Sequence, residues 1–165
     1  MAVDAEGAST ARVRAALLAA GHADTILVFP DGTRTSEDAA AAVGCSVAQI
    51  AKSMVFRPRG AESGRPVLVL TSGANRVDTA RVESALGFAV KRADAGWVRD
   101  VTGFVIGGVS PVGLLTPPVV LLDEDLLPLD PIWAAAGSPH HVFRTTPGEL
   151  QRLTGAKVAG VRVGG

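Results

Sequence analysis

The sequence predicts an α/β (α+β) fold, a single domain in which helices surround a mixed central β-sheet. Three observations carry this. Short β-prone apolar runs alternate with segments that open on helix-capping residues and close on glycine. Nearly half of the residues (47%) are apolar, yet there are only five Phe, two Trp and no Tyr, so aliphatic side chains must fill the interior. A length of 165 residues is about the usual size of one domain, so residues 1–165 are expected to share one core.

Ser9 to Ala20 reads as an amphipathic helix with Val13, Leu17 and Ala20 on one face, ended by Gly21. Thr25 to Phe29 is a first strand, broken by the turn chemistry of Pro30-Asp31-Gly32. Thr35 opens a second helix, with Asp38 three residues on as in a capping box. Ser46 and Gln49 repeat that signature and predict a short helix leading into Lys52. Met54 to Phe56 and Pro66 to Leu70 should pair as a hairpin across the polar, glycine-containing link Arg57 to Arg65. Val67 to Leu70 is continuously apolar, so that strand is expected to be covered on both faces.

Asp78 caps a helix through Leu86 that Gly87 stops, and Phe88 to Val90 is a short strand. Asp94 to Val101 is another helix, ended at Gly103. Three glycines and a proline in seven positions exclude regular structure from Gly107 to Gly113. Val119 to Leu122 is a buried strand, and the acidic run Asp123-Glu124-Asp125 after it is most simply a helix start. Pro131 to Ala135 and Val142 to Arg144 are further strands. Thr146, Pro147 and Glu149 form the N-cap, first position and capping-box closure of a last helix.

Sixteen Lys plus Arg balance sixteen Asp plus Glu, which gives no support for broad nucleic-acid binding but leaves room for a local basic patch. No apolar run approaches the roughly 18 residues of a membrane span. Met1 to Gly7 is small and acidic, unlike a signal peptide, so a cytoplasmic protein without a membrane partner is expected. The lone Cys45 sits at a helix–helix joint and reads as a buried, inert thiol. Gly-x-Ser-x-Gly, His-Glu-x-x-His and phosphate-loop motifs are absent, and the adjacent His140 and His141 are poorly placed to share a metal. No metal or cofactor is expected.

The Gly107 to Gly113 segment is the best physical clue to chemistry. Glycines let backbone N–H groups approach a ligand closely and stabilise a developing oxyanion. A tight structural turn is the alternative reading of the same residues.

Three blocks then resemble one family. They are Gln49-Ile50-Ala51-Lys52-Ser53-Met54-Val55-Phe56, Val69-Leu70-Thr71-Ser72-Gly73-Ala74-Asn75-Arg76-Val77-Asp78, and Val101 to Gly113. Together they look like the signature blocks of the YbaK/prolyl-tRNA-synthetase-associated editing domain. Leu122 to Leu127, Trp133 to Gly137 and Thr146 to Leu150 match its later blocks, so the resemblance runs from about residue 35 to 161.

The resemblance implies a free-standing trans-editing hydrolase. Such an enzyme cleaves the ester between a small non-cognate amino acid (alanine, serine or cysteine) and tRNA, usually tRNA for proline. The tRNA acceptor end is the implied partner, with prolyl-tRNA synthetase as a second. Lys52 matches the family lysine, placed by resemblance at the terminal nucleotide or the carbonyl, and Gly107, Gly108 and Pro111 match the Gly-x-x-x-Pro loop that holds the ester. Ser53, Met54, Val109, Ser110, Val112 and Gly113 flank these as substrate-binding candidates. Ser72, Gly73, Asn75 and Arg76 resemble part of the site rim, with Arg76 either a tRNA-phosphate contact or an ordinary helix-start contact. Ser138 and His140 fall where relatives place a polar residue near the amino-acid pocket, whereas His141 should point the other way on a strand. No side chain is an evident nucleophile, so water is expected to attack directly.

Relatives often carry His after Pro-Val-Gly where this chain has Leu114; facing the pocket, Leu114 would make it more apolar, and facing away it would mean nothing. Arg57, Arg59, Lys91, Arg92 and Arg99 either flank a tRNA acceptor end or are scattered surface charge. Two other functions stay open, a catalytically silent module docking on tRNA or a synthetase, and a hydrolase of small aminoacyl esters.

Overall fold

The computed structural model describes residues 2–29 (side chains from Gly7 on), 31–33, 35–60 and 65–164. Pro30 of the expected turn and 61–64 of the expected link lie outside the described residues. Among the described residues there are five helices and eight strands: α1 (Ala2–Ala19), β1 (Ile26–Val28), α2 (Ser36–Val43), β2 (Ile50–Pro58), β3 (Val67–Ser72), α3 (Thr79–Leu86), β4 (Val90–Arg92), α4 (Ala95–Thr102), β5 (Val119–Asp123), β6 (Ile132–Ser138), β7 (His141–Thr145), α5 (Pro147–Thr154) and β8 (Lys157–Ala159).

The capped helices follow from short-range chemistry. Thr35, Asp78, Asp94 and Thr146 each accept a hydrogen bond from a backbone N–H in the first turn, and a left-handed glycine closes each helix. Glu149 does not complete the expected capping box at α5, because its carboxylate is held by Arg152 one turn on. The Ser46–Gln49 capping box does form, but it launches only a 3-10 turn, Val47–Gln49. Ile50 then pairs with Trp133, so the chain is already strand at Lys52, where the short helix was expected to lead. Strand β4 also falls two residues later than expected, at Val90–Arg92, and β8 was not anticipated.

The strands form one mixed sheet in the order β1-β7-β6-β2-β3-β5-β8, with β4 attached to β2. The pairs β2–β6, β3–β5 and β5–β8 are parallel and the others antiparallel. Val67, Leu68, Val69 and Leu70 on β3 all have zero exposure, as the unbroken apolar run requires. Alternation sends Leu68 and Leu70 into a core with Val13 and Leu17 of α1 and Leu150 of α5. Val67 and Val69 enter a second core with Val82 of α3. Burying each such side chain contributes about 1.5–3 kcal/mol.

One register detail positions everything that follows. Along one edge β2 pairs with β3 from Ala51 to Phe56. Along its other edge it pairs with β6 only at Ile50 and Ala51, and with β4 only from Phe56 to Pro58. The sheet is therefore split beside Lys52 to Val55, and the Ala93 N–H closes its far end by donating to the Val55 carbonyl at 3.2 Å.

A buried polar clamp fixes the neighbouring strand ends. Asp123 at the end of β5 has zero exposure, and its carboxylate accepts from Thr71 Oγ1 (3.1 Å), the Ser72 N–H (3.0 Å), Asn75 Nδ2 (2.9 Å) and the Asp125 N–H (2.9 Å). Replacing Asp123 by alanine would orphan several buried donors. We expect the Asp123→Ala protein to lose about 3 kcal/mol or more in urea unfolding. A loss under about 1 kcal/mol would show that water replaces the carboxylate without penalty.

Candidate active site

The split in the sheet opens into a cavity of about 460 Å³, within the roughly 300–1,000 Å³ range of small-ligand sites. Because the split exposes both faces and the edge of β2, Lys52, Ser53, Met54 and Val55 all line it, although successive strand residues normally face opposite ways. Gly73 at the end of β3, the loop glycine Gly107 with Ile106 and Val109, and Ser138 and His141 at the β6–β7 turn complete the chemically interesting wall. The start of α2 contributes Thr33, Thr35, Ser36 and Glu37, while β4 adds Arg92. Lining side chains thus include two cations, Lys52 and Arg92, and one carboxylate, Glu37.

Two features are prepared for a ligand. The Ser53 hydroxyl is buried without a hydrogen-bond partner. Its backbone also faces the unpaired edge, since neither β6 nor β4 pairs with it and alternation matches it to Val55. Secondly, Ser138 Oγ accepts the His140 N–H at 3.0 Å and lies 2.7 Å from His141 Nδ1. At that distance the hydroxyl and the imidazole share one hydrogen bond, which holds the ring in place.

The loop is shaped by close packing. Gly108 is pressed on β6, where an added Cβ would stand 2.6 Å from Ser138 Cα. Gly107 has φ +94°, a conformation that only glycine adopts readily. From behind, Arg12 of α1 donates to the carbonyls of Gly103 (3.2 Å) and Gly113 (3.3 Å), with its guanidinium 4.9 Å over the Phe104 ring.

The cavity gathers Lys52, Ser53, Met54, Gly73, Gly107, Val109 and Ser138 of the residues expected at the site. Others stand behind its wall. Ser72 donates to the Ala48 carbonyl, and Asn75 spends both amide protons on Asp123 and Asp125. Arg76 is exposed away from the cavity. Ser110 is fully buried, its hydroxyl accepting from the Val112 N–H, and Pro111 and Val112 are buried with it. Gly113 packs on the Arg12 backbone.

The two histidines exchange their expected places. His140 sits at the tip of the turn, where its ring lies against Gly32 and meets the Phe29 carbonyl, and His141 lines the cavity. Leu114 packs on the main core and does not line the cavity, so it faces away from it. Residues missed from the sequence are His141, Trp133, Thr33, Thr35, Ser36 and Glu37. Only the N-cap at Thr35 could have flagged them, as a ring of backbone N–H groups beside the lysine strand.

Cys45 is half-buried against the cluster of Ala39, Ala40 and Ile50 but does not itself line the cavity, and burial pushes its thiol up from the ordinary range. Among the described residues no three His, Cys, Asp or Glu side chains group as a metal site, and no helix is long and apolar enough to cross a membrane.

Comparison with known proteins adds the following. The family model described as the aminoacyl-tRNA editing domain matches residues 30–153. The uncharacterized protein YwhH of Bacillus subtilis strain 168 is 33% identical over 130 residues, 79% of this chain and 81% of that protein. A proline–tRNA ligase of Limosilactobacillus fermentum is 32% identical over 97 residues, 58% of this chain but only 17% of the ligase. A crystal structure of a candidate trans-editing enzyme for prolyl tRNA synthetase superposes with a TM-score of 0.87 at 44% identity, covering 94% of this chain and 98% of that one.

Proposed function

We infer that this chain, which belongs to the aminoacyl-tRNA editing domain family, is a deacylase acting in trans on tRNA that carries a small non-cognate amino acid. The tRNA for proline is the proposed carrier, and prolyl-tRNA synthetase the proposed neighbour in the cell. Both follow from likeness to the trans-editing structure and to the proline–tRNA ligase segment. The observation that carries the reading is the split beside β2, which brings Lys52, the unpartnered Ser53 hydroxyl, the Gly107 loop and the Ser138–His141 pair to one cavity.

The reaction is ester hydrolysis. Water attacks the aminoacyl carbonyl carbon, the bond to the ribose oxygen breaks, and the attacking water's proton ends on that oxygen. The products are a free amino acid and a tRNA with its terminal hydroxyl restored. Lys52 supplies a positive charge to the developing oxyanion, and the Gly107 backbone holds the ester beside it. Held by Ser138, the His141 imidazole serves as the group that transfers a proton to the leaving oxygen. The Ser53 hydroxyl and exposed edge bind the aminoacyl group, while small side chains at Ala51 and Ala134 leave its room.

The decisive assay charges tRNA for proline separately with alanine, serine, cysteine and proline. Rapid loss of one small amino acid with proline spared supports the reading; hydrolysis of simple aminoacyl esters that is indifferent to tRNA would replace it with the small-ester alternative. In the same assay His141→Ala is expected to slow deacylation about 10²-fold or more, with His140→Ala near wild type. Equal effects of the two changes would remove His141 from the mechanism.

A further inference from the structure

We propose that the β4 edge of the cavity is a track for the acceptor-stem phosphates of the tRNA, a proposal that rests on the editing reading. Overall charge is balanced, sixteen cations against sixteen carboxylates, so any local excess must come from the fold. The β2–β4 register creates one. Arg57 lies directly opposite Lys91, and Arg92 opposite Phe56. The ladder continues past the strand ends, with the Arg59 N–H donating to the Ala89 carbonyl. Arg57, Arg59 and Lys91 therefore share the face on which α4 lies, with the two arginines roughly 7 Å apart along the strand. Arg92, paired with Phe56, stands on the other face and lines the cavity with Lys52, so the β4 edge carries cations on both of its faces.

None of these cations is ion-paired among the described residues, whose salt bridges lie elsewhere, at Arg14–Asp24, Arg81–Asp78, Arg152–Glu149 and Arg162–Asp125. The nearby carboxylates have other work, since Asp94 accepts the Trp97 N–H and Glu83 the Val90 N–H. Two of the guanidinium groups are held in place. Arg57 lies 5.1 Å over the Trp97 ring, and Arg59 Nε donates to the Val90 carbonyl at 3.2 Å. Stacked or tethered in this way, each keeps N–H groups for a phosphate and loses little freedom on binding one. A chain end in the cavity that leaves past Arg92 and crosses the β4 edge would bring its phosphates onto this strip. An RNA backbone is the occupant that an unpaired row of cations fits, because phosphate contacts by Arg and Lys supply sequence-independent affinity.

The test measures the affinity of uncharged tRNA across salt concentrations, alongside hydrolysis of an aminoacyl-adenosine that has no stem. The Arg57→Ala, Lys91→Ala double variant should flatten the log affinity against log salt slope by about 2. It should bind tRNA on the order of tenfold to a hundredfold more weakly near 0.1 M salt. Hydrolysis of aminoacyl-adenosine should stay at the wild-type rate. Lys91→Glu, at an exposed position, repeats the measurement without disturbing the Trp97 contact. An unchanged slope in both variants, or no tRNA binding by wild type, overturns the proposal. If wild type binds tRNA and hydrolyses nothing, the editing reading fails separately, and the slope still decides whether this edge is the track.

Discussion

The Lys52→Ala protein is expected to deacylate its tRNA about 10²–10³-fold more slowly than wild type, a loss of about 2.7–4 kcal/mol in transition-state stabilisation. The expectation follows from placement. Lys52 stands on a strand held by six β3 pairs, so its backbone is fixed, while its exposed side chain lines the cavity beside the glycine loop. A charge that stabilises only the oxyanion should lower kcat and kcat/KM together. Lys52→Arg keeps the charge but spreads it over a planar fork, so partial activity is expected from it. Stability should barely change in either variant, because an exposed lysine contributes little to folding. Full deacylation by Lys52→Ala would move the chemistry elsewhere in the cavity.

Gly108→Ala should be severely damaging to the site. Its Cβ would stand 2.6 Å from Ser138 Cα, 2.8 Å from Ser138 C and 2.9 Å from Ser138 N, all backbone atoms that cannot rotate away. The loop or the end of β6 must shift, which costs about 1–3 kcal/mol as overpacking. The same shift separates the Gly107 backbone from the Ser138–His141 pair, and a misplacement of about 1 Å can lower the rate about 10²-fold. Thermal unfolding and deacylation should therefore both suffer. Gly148→Ala, with open space around its Cβ, serves as the control that keeps activity. If Gly108→Ala melts and turns over like wild type, the contact between loop and β6 is looser than described.

Much of the fold was legible because the signals are local. Thr35, Asp78, Asp94 and Thr146 announce helices through bonds to N–H groups two or three residues away, and Val67 to Leu70 announce a strand covered on both faces. The resemblance implies one site for Lys52 and the Gly107 loop, and Lys52 and Gly107 both line the cavity. What stayed hidden depends on pairings distant in sequence. A perfect capping box at Ser46 yields a single turn, because parallel pairing of Ile50 and Ala51 with β6 claims the chain first. Alternation misjudged the histidines because Ser138 pairs with His141, which makes His140 a turn residue rather than a strand neighbour. Asn75 looked like a rim residue, but two carboxylates over 45 positions away hold its amide. Three residues at Lys157–Ala159 were too few to show a period.

The Arg12 contacts also bear on how the molecule reaches its working state. Helix α1 precedes the stretch matched by the family model, yet its arginine ties together Gly103 and Gly113, positions 91 and 101 residues away. A loop held in this way cannot acquire its shape from its own sequence. Its geometry waits for the first helix to find a partner most of the chain away, and closures over such distances are the slow, entropically costly events of folding. Assembly of the Gly103–Gly113 loop is thus coupled to a contact that closes most of the chain. Without that docking the loop would lose its support and the main core would lose Val13 and Leu17 of α1.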